Sequence, residues 1–214
     1  MTWLITASLI GGFEYYLDPS EYRTDDQKRD DFLRMLSRER READSQAAQN
    51  GRDLEANVMA YCEVGGYQDA PLHIQQIGDQ CMGGVWQQST QRKLDDFLFY
   101  GKMDVVGATA KPGRMIDIKW TGHYDLGKFL DSAQHLLYLF CEDRADNPGD
   151  APIRDFRYLI CEEKYGKCEV FPEDYSFTPD TESKLLGKTH ELMSWLDFDK
   201  EAGALFRKNW KALS

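Results

Sequence analysis

The chain has 214 residues, with 37 acidic and 26 basic side chains, a formal net charge of −11 and 42% hydrophobic residues. This length suits a single domain spanning 1–214, which would bury roughly 70% of the surface that its unfolded chain exposes. The apolar content excludes a disordered acidic tail. The acidic balance argues against a general polyanion-binding protein, which would be basic. The apolar stretch from Trp3 to Phe13 is too short to span a bilayer and lacks the basic start of a signal peptide, so we expect a cytoplasmic protein with no membrane partner.

Cysteine and histidine spacing gives little indication of a metal site. An odd number of cysteines, widely separated, indicates reduced thiols in a cytosolic protein. No two cysteines have the spacing of a zinc knuckle, and the histidines do not cluster in sequence, so spacing predicts no zinc site. These residues are Cys62, Cys81, Cys141, Cys161, Cys168, His73, His123, His135 and His190.

The first third of the chain is predicted to be helical. Residues 2–17 form a short helix that Pro19 ends, and the densely charged stretch 20–50 forms a helical insert. Residues 52–63 form a stronger amphipathic helix, on which Glu55 flanks the apolar arc and should lie near the interior. The arc consists of Leu54, Val58, Tyr61 and Cys62.

Shorter β-prone segments follow. We expect strands at 72–77, 82–90, 96–106, 114–120, 154–161 and 167–171. A helix is expected over 125–142, because Leu126, Leu130, Ala133, Leu137 and Cys141 form one stripe, and the tail 180–212 should be helical. This order predicts an α/β fold with a central mixed sheet flanked by helices, a core of about 51–171 and C-terminal helices over about 173–212.

The segment from Tyr100 to Tyr138 carries the candidate chemistry. Asp104 ends one predicted strand, and Asp117 and Lys119 project to the same side of the next, because residues two apart in a strand share a face. Two carboxylates and a lysine are costly in a dry core but tolerable around a divalent cation in a cleft. Carboxylates suit Mg²⁺ or Mn²⁺.

Further residues could complete this metal site. The carbonyl of Ile118 can reach the same ion, because it lies between Asp117 and Lys119. Glu55 could supply a carboxylate from the opposite wall, enough for a second ion. Gln134 and Tyr138, at i and i+4 on a helix, could hydrogen-bond the substrate strand or brace the metal ligands.

These residues resemble the signature of the PD-(D/E)xK nuclease superfamily. Asp104, twelve intervening residues and Asp117-x-Lys119 carry that signature, and Gln134-x-x-x-Tyr138 resembles the trailing motif of its RecB-like exonuclease branch. The segments 51–55 (GRDLE), 116–122 (IDIKWTG) and 6–9 (TASL) are similar to the core helix, the strand exit and the first helix of that branch.

The resemblance implies a restriction-endonuclease-like core and a Mg²⁺- or Mn²⁺-dependent DNA nuclease, specifically an exonuclease. It implies roles in DNA recombination, repair or phage DNA processing in a bacterial or phage-infected cell, with a single-strand annealing protein as a candidate partner. Glu55 stands where many RecB-like members have histidine, so one or two metals remain possible, and Trp120 intrudes before the Thr121-Gly122 exit. Cys161 and Cys168 do not reproduce the cysteine grouping of cluster-containing members, so we expect no iron–sulfur cluster.

Two other functions remain open. The chain could be a catalytically inactive nucleic-acid- or protein-binding module on the same fold, or a structural protein that docks through its charged insert. The charge distribution leaves DNA possible, because residues 101–130 contain five basic and three acidic side chains. DNA capture would therefore be weak, salt-sensitive and confined to one cleft.

Overall fold

A six-stranded mixed sheet flanked by helices forms the centre of the computed structural model, which describes residues 1–19, 23–39, 45–143 and 151–212. The strands are β1 (Trp3–Thr6), β2 (Val85–Leu94), β3 (Phe97–Val106), β4 (Arg114–Thr121), β5 (Asp155–Lys164) and β6 (Lys167–Ser176). The helices are α1 (Ala7–Leu17), α2 (Asp25–Ser37), α3 (Gln46–Glu63), α4 (Leu72–Cys81), α5 (Ala133–Glu142), α6 (Thr181–Phe198) and α7 (Lys200–Asn209). The predicted mixed α/β architecture is confirmed.

Strand β3 organises the sheet. Its first half pairs in parallel with β1, its other edge pairs along its length with β2, and only Val105 and Val106 pair with β4. β4 continues in parallel to β5, and β5 forms an antiparallel hairpin with β6. Between the end of β1 and the start of the β4 pairing, residues 101–104 of β3 therefore have no ladder partner on one edge among the residues that the structure describes.

Two apolar clusters cover the faces of the sheet. One cluster lies around α5 and contains Met103 and Met115, together with buried residues of α1, α2, α6 and α7. The other lies around α3 and α4 and contains Val105 and Ile116. We call these two sides the α5 face and the α3 face.

The charged insert contributes to the α5 face. Thr24 begins α2 with a capping box to Gln27, which satisfies backbone donors of the first turn. Phe32 and Leu36 are buried in the same cluster as α1. The predicted helix is therefore present, and parts of 20–50 lie outside the described residues.

Two predictions within the first 80 residues are wrong about whether the segment is a helix or a strand. Residues 3–6 form β1 and not the start of a helix, because their aromatic and β-branched side chains suit a strand and Thr6 caps α1. Residues 72–77 belong to helix α4 and not to a strand. Its buried residues repeat with helical spacing, at Ile74, Ile77, Gly78 and Cys81.

The helix predicted over 125–142 begins only at Ala133, where Ser132 provides the N-cap. Gly127 adopts a left-handed conformation with φ +83° and interrupts the helical path. Leu126 and Leu130, which the predicted stripe included, are 91% and 62% exposed. The apolar stripe from Ala133 to Cys141 is buried as predicted.

The strand predicted over 114–120 is confirmed as β4, and Ile118 and Trp120 pack on the α3 face with Ile116. The helix predicted over 52–63 is confirmed within α3, with Leu54, Val58 and Tyr61 buried. Among the described residues, no helix is long and apolar enough to cross a membrane.

Candidate active site

The predicted site residues meet where β3 and β4 diverge. After the Val105–Ile116 pair the two strands form no further ladder pairs. Met103 packs on the α5 face and Val105 on the α3 face, although residues two apart in a regular strand share one face. β3 therefore departs from regular alternation at Asp104, which lies between them at the gap.

Asp104 is held by the backbone of β4. The Ile118 N–H donates a hydrogen bond to Oδ2 of Asp104 at 2.8 Å. The N–H and C=O of one strand residue point towards the same neighbouring strand, so the Ile118 carbonyl is also directed towards the gap. The carboxylate and the carbonyl predicted to share an ion therefore border the same opening.

Asp117 lies on the α5 face, where its carboxylate contacts a charged ammonium and a neutral amide. Its side chain is 2% exposed, and Nζ of Lys119 lies 2.6 Å from Oδ2. The side-chain amide of Gln134, on α5, donates a hydrogen bond to Oδ1. Apart from the Lys119 ammonium, the buried Oδ2 has no partner within the described part of the chain. This oxygen thus retains an unused acceptor position.

Glu55 reaches the gap from the α3 face through a residue that the sequence analysis missed. The amide of Gln87, on β2, donates to Oε1 of Glu55 and lies 3.5 Å from Oδ1 of Asp104. Gln87 has a φ of +56°, and its place opposite Asp104 is skipped in the β2–β3 ladder. Such a backbone costs about 1–3 kcal/mol for a non-glycine residue and often marks a functional position. No motif in the sequence singles out Gln87.

Tyr138 contacts the unpaired part of β3. Its hydroxyl donates to the Lys102 carbonyl at 2.7 Å and lies 3.4 Å from the Gln134 amide. Its ring packs over Gly101, where a Cβ atom would approach Cε1 of Tyr138 to 2.1 Å. Gly101 is therefore needed for this close approach, and Tyr138 satisfies a carbonyl that has no ladder partner. The predicted role of Gln134 and Tyr138 in binding substrate stays a prediction.

Three carboxylates and one ammonium group lie close together in the site. Burial, and then the charge of Asp117, raise the pKa of Asp104 to about 8. Burial and the charge of Asp117 also raise the pKa of Glu55. Burial acts to lower the pKa of Lys119, but the carboxylates of Asp117, Asp104 and Glu55 outweigh it and the pKa is raised. The lysine stays positively charged. The carboxylates repel one another unless protons or bound cations neutralise their charge.

The donor set fits a hard divalent cation. Glu55, Asp104 and Asp117 offer carboxylate oxygens, Ile118 offers a carbonyl, and Oδ2 of Asp117 has an unused acceptor position. A raised carboxyl pKa in a cleft is typical of a functional site. These four residues could hold Mg²⁺ or Mn²⁺.

Comparisons with known proteins support the fold. The structure resembles the crystal structure of a candidate exonuclease from Eubacterium rectale, with a TM-score of 0.57 and 13% sequence identity over 97% of this chain and 83% of that one. The crystal structure of SSO0001 aligns with a TM-score of 0.49 and 11% identity over 90% of this chain and 77% of that one. No protein-family profile matches the sequence, and no curated protein matches it. The chain therefore shares the α/β fold of the Eubacterium rectale protein.

Proposed function

We propose that this protein is a Mg²⁺- or Mn²⁺-dependent deoxyribonuclease that hydrolyses phosphodiester bonds in DNA. The observation that carries the proposal is the convergence of three carboxylates and one lysine at the divergence of β3 and β4. Asp117 and Lys119 project from one strand, Asp104 from the next and Glu55 from the helix on the opposite face.

A divalent ion, when bound, lowers the pKa of a coordinated water and polarises a phosphoryl oxygen. Glu55, Asp104, Asp117 and the Ile118 carbonyl would hold such an ion. Burial is the main cause of the raised pKa of Asp104, and a cation would offset both this burial and the repulsion from Asp117.

The other residues position and balance these ligands. Lys119 is held 2.6 Å from Asp117 and keeps its proton, so its ammonium can offset negative charge that develops on the phosphate. Gln134 orients Asp117 by its amide donor, and the Ile118 N–H orients Asp104. Fixed donors of this kind need little reorganisation during the reaction.

DNA is the proposed substrate, and exonuclease action is the proposed mode. The candidate exonuclease of similar fold supports this mode. Five basic side chains within residues 101–130 include Lys102 and Lys119 beside the site, within a chain of net charge −11. Roles in recombination, repair or phage DNA processing, beside a single-strand annealing protein, extend the proposal by the motif resemblance.

A nuclease assay on linear and circular DNA tests this proposal, with Mg²⁺, Mn²⁺ or EDTA present. We expect Asp117→Ala and Lys119→Ala to lower activity by about 10³-fold each, and EDTA to abolish it. The matched control is Glu191→Ala, at an exposed position of α6. Degradation of linear but not circular DNA would support an exonuclease. Equal activity of the wild type and both site variants, or activity that survives EDTA, would contradict the mechanism.

A further inference from the structure

A second group of potential metal ligands lies away from the carboxylates. His73 of α4, Cys161 of β5 and Cys168 of β6 each offer a ligand atom, and these atoms all lie within 4.8 Å of one another. Cys161 is 1% exposed, and the other two side chains are half-buried. The β5–β6 hairpin brings the two cysteines together, and His73, which is distant in sequence, joins them through the packing of α4 on that hairpin.

The hairpin turn places both thiols on one face. Tyr165 and Gly166 connect the strands with φ values of +54° and +73°. A two-residue type I′ turn requires a positive φ at both positions. The resulting register pairs Glu163 with Cys168 and Cys161 with Val170. Residues 161 and 163 share a face, so the two cysteines are diagonal neighbours beneath α4.

We propose that His73, Cys161 and Cys168 form a zinc site that joins α4 to the β5–β6 hairpin. Two thiolates and one imidazole are ligands that Zn²⁺ commonly takes in tetrahedral sites. With bonds of about 2.3 Å to sulfur and about 2.0 Å to nitrogen, tetrahedral ligand atoms stand about 3.5–3.8 Å apart. The observed separations can close to these values by small side-chain rotations.

The surroundings suit such an ion. His73 would bind through its neutral imidazole, and Cys161 and Cys168 would bind as thiolates after they release their protons. Glu163 lies on the same face, opposite Cys168, and can supply a fourth ligand, as can water.

The position suggests what the ion would do. Cys161 pairs with Trp120 at the end of β4, next to Lys119. α4 also packs against α3, which carries Glu55. An ion that links α4 to β5 would therefore rigidify the α3 face behind the candidate active site. The site itself does not depend on the nuclease proposal, because its ligands are separate from the carboxylates.

Cobalt and zinc binding by the reduced full-length protein tests the proposal. We expect one Co²⁺ per chain with sulfur-to-metal charge-transfer absorption and tetrahedral ligand-field bands, both removed by one equivalent of Zn²⁺. The active-site ligands are oxygens and give no thiolate band, so the spectrum identifies which site is filled. His73→Asn and Cys168→Ser should lose this spectrum, and Zn²⁺ should raise the Tm of the wild type by more than that of either variant, in which it can bind only at the carboxylates.

Cys62→Ser is the matched control, because Cys62 is half-buried on the same face but outside the cluster. It should keep the spectrum and the Zn²⁺-dependent rise in Tm. Circular dichroism of the metal-free proteins compares their folding, and if one variant fails to fold the other decides. Absence of the thiolate band in the reduced wild type, its persistence in a folded variant, or formation of a Cys161–Cys168 disulfide in place of metal binding would each overturn the proposal.

Discussion

The two faces of the sheet hold their acidic side chains in different ways. On the α5 face, Asp117 is 2% exposed and contacts both the Lys119 ammonium and the Gln134 amide. On the α3 face, Glu55 is half-exposed and accepts a hydrogen bond from Gln87, itself held in a left-handed conformation. A buried carboxylate requires charge and hydrogen-bond partners, whereas a half-exposed one can be hydrated.

This difference indicates a division of work. The α5 face fixes the geometry of the site, with Tyr138 satisfying the Lys102 carbonyl where β3 lacks a ladder partner. The α3 face supplies a ligand that can adjust. Substitutions on the α5 face should therefore lower either kcat or the unfolding free energy. Substitutions on the α3 face should change metal binding and leave the unfolding free energy nearly unchanged.

The largest effect among these tests is expected for Gln134→Ala. Loss of the amide donor leaves Asp117 free to rotate away from its orientation, and outer ligand partners of this kind are worth up to about 100-fold in activity. We expect kcat to fall by that factor with little change in KM for DNA. Gln76→Ala, at an exposed position on α4, is the control. A rise in KM with kcat unchanged would instead assign Gln134 to substrate binding.

The pH dependence of the unfolding free energy tests whether the α5 face excludes water. His135 is 4% exposed, stacks on Tyr175 with ring centroids 4.1 Å apart, and has no hydrogen-bond partner for Nδ1 within the described residues. Burial lowers its pKa to about 4, with Lys188 acting in the same direction and Asp131 and Glu173 opposing it. The neutral form is therefore favoured in the folded state, so this stability is complete above pH 6.5 and is lost as the pH falls towards 4.

Between pH 8 and pH 5 this histidine should account for about 2 kcal/mol of lost unfolding free energy. Urea unfolding of the wild type and His135→Gln at both pH values measures it, because other titrating groups cancel in the difference. His190→Gln, at an exposed position of α6, is the control. An equal pH dependence of wild type and His135→Gln would show that His135 is accessible to water and that the α5 face is open.

The parts of the site that the sequence predicted depend on local periodicity. Asp117 and Lys119 alternate with Ile116 and Ile118, so the period of a strand is enough to place them on one face. Glu55 follows from the angular position of a residue on an amphipathic helix. These patterns extend over fewer than twenty residues, and tertiary contacts do not alter them.

The parts that were missed depend on contacts between distant segments. The sequence predicts a strand in place of α4 because Gly78 contributes no side chain to the buried face of the helix. In the structure the ring of Tyr61 packs against Gly78. The position of Gln87 depends on how β2 is distorted opposite Asp104. The proximity of His73 to Cys161 depends on the packing of α4 on the hairpin. Neither the position of Gln87 nor the proximity of His73 to Cys161 has a spacing signal in the sequence.

Glu55→Gln is the corresponding test of the α3 face. Replacing one half-exposed ligand should lower activity by about tenfold and weaken Mn²⁺ binding. The Tm in EDTA should stay within about a degree of the wild type, because surface-accessible substitutions usually change stability little. Glu63→Gln, exposed on the same helix, is the control. Calorimetric titration with Mn²⁺ counts the ions, and an unchanged stoichiometry and affinity would remove Glu55 from the metal site.

The smallest expected effect is that of Tyr138→Phe, and it separates the two roles of this residue. Loss of the hydroxyl leaves the Lys102 carbonyl without its 2.7 Å donor, which should lower the unfolding free energy by about 1 kcal/mol. Activity per folded molecule should change by less than about threefold, because Gln134 still holds Asp117. Tyr165→Phe, fully exposed in the β5–β6 turn, should change neither quantity. If Tyr138→Phe kept its stability but raised KM for DNA, the hydroxyl would bind substrate, and the α5 face would take part in recognition as well as in positioning.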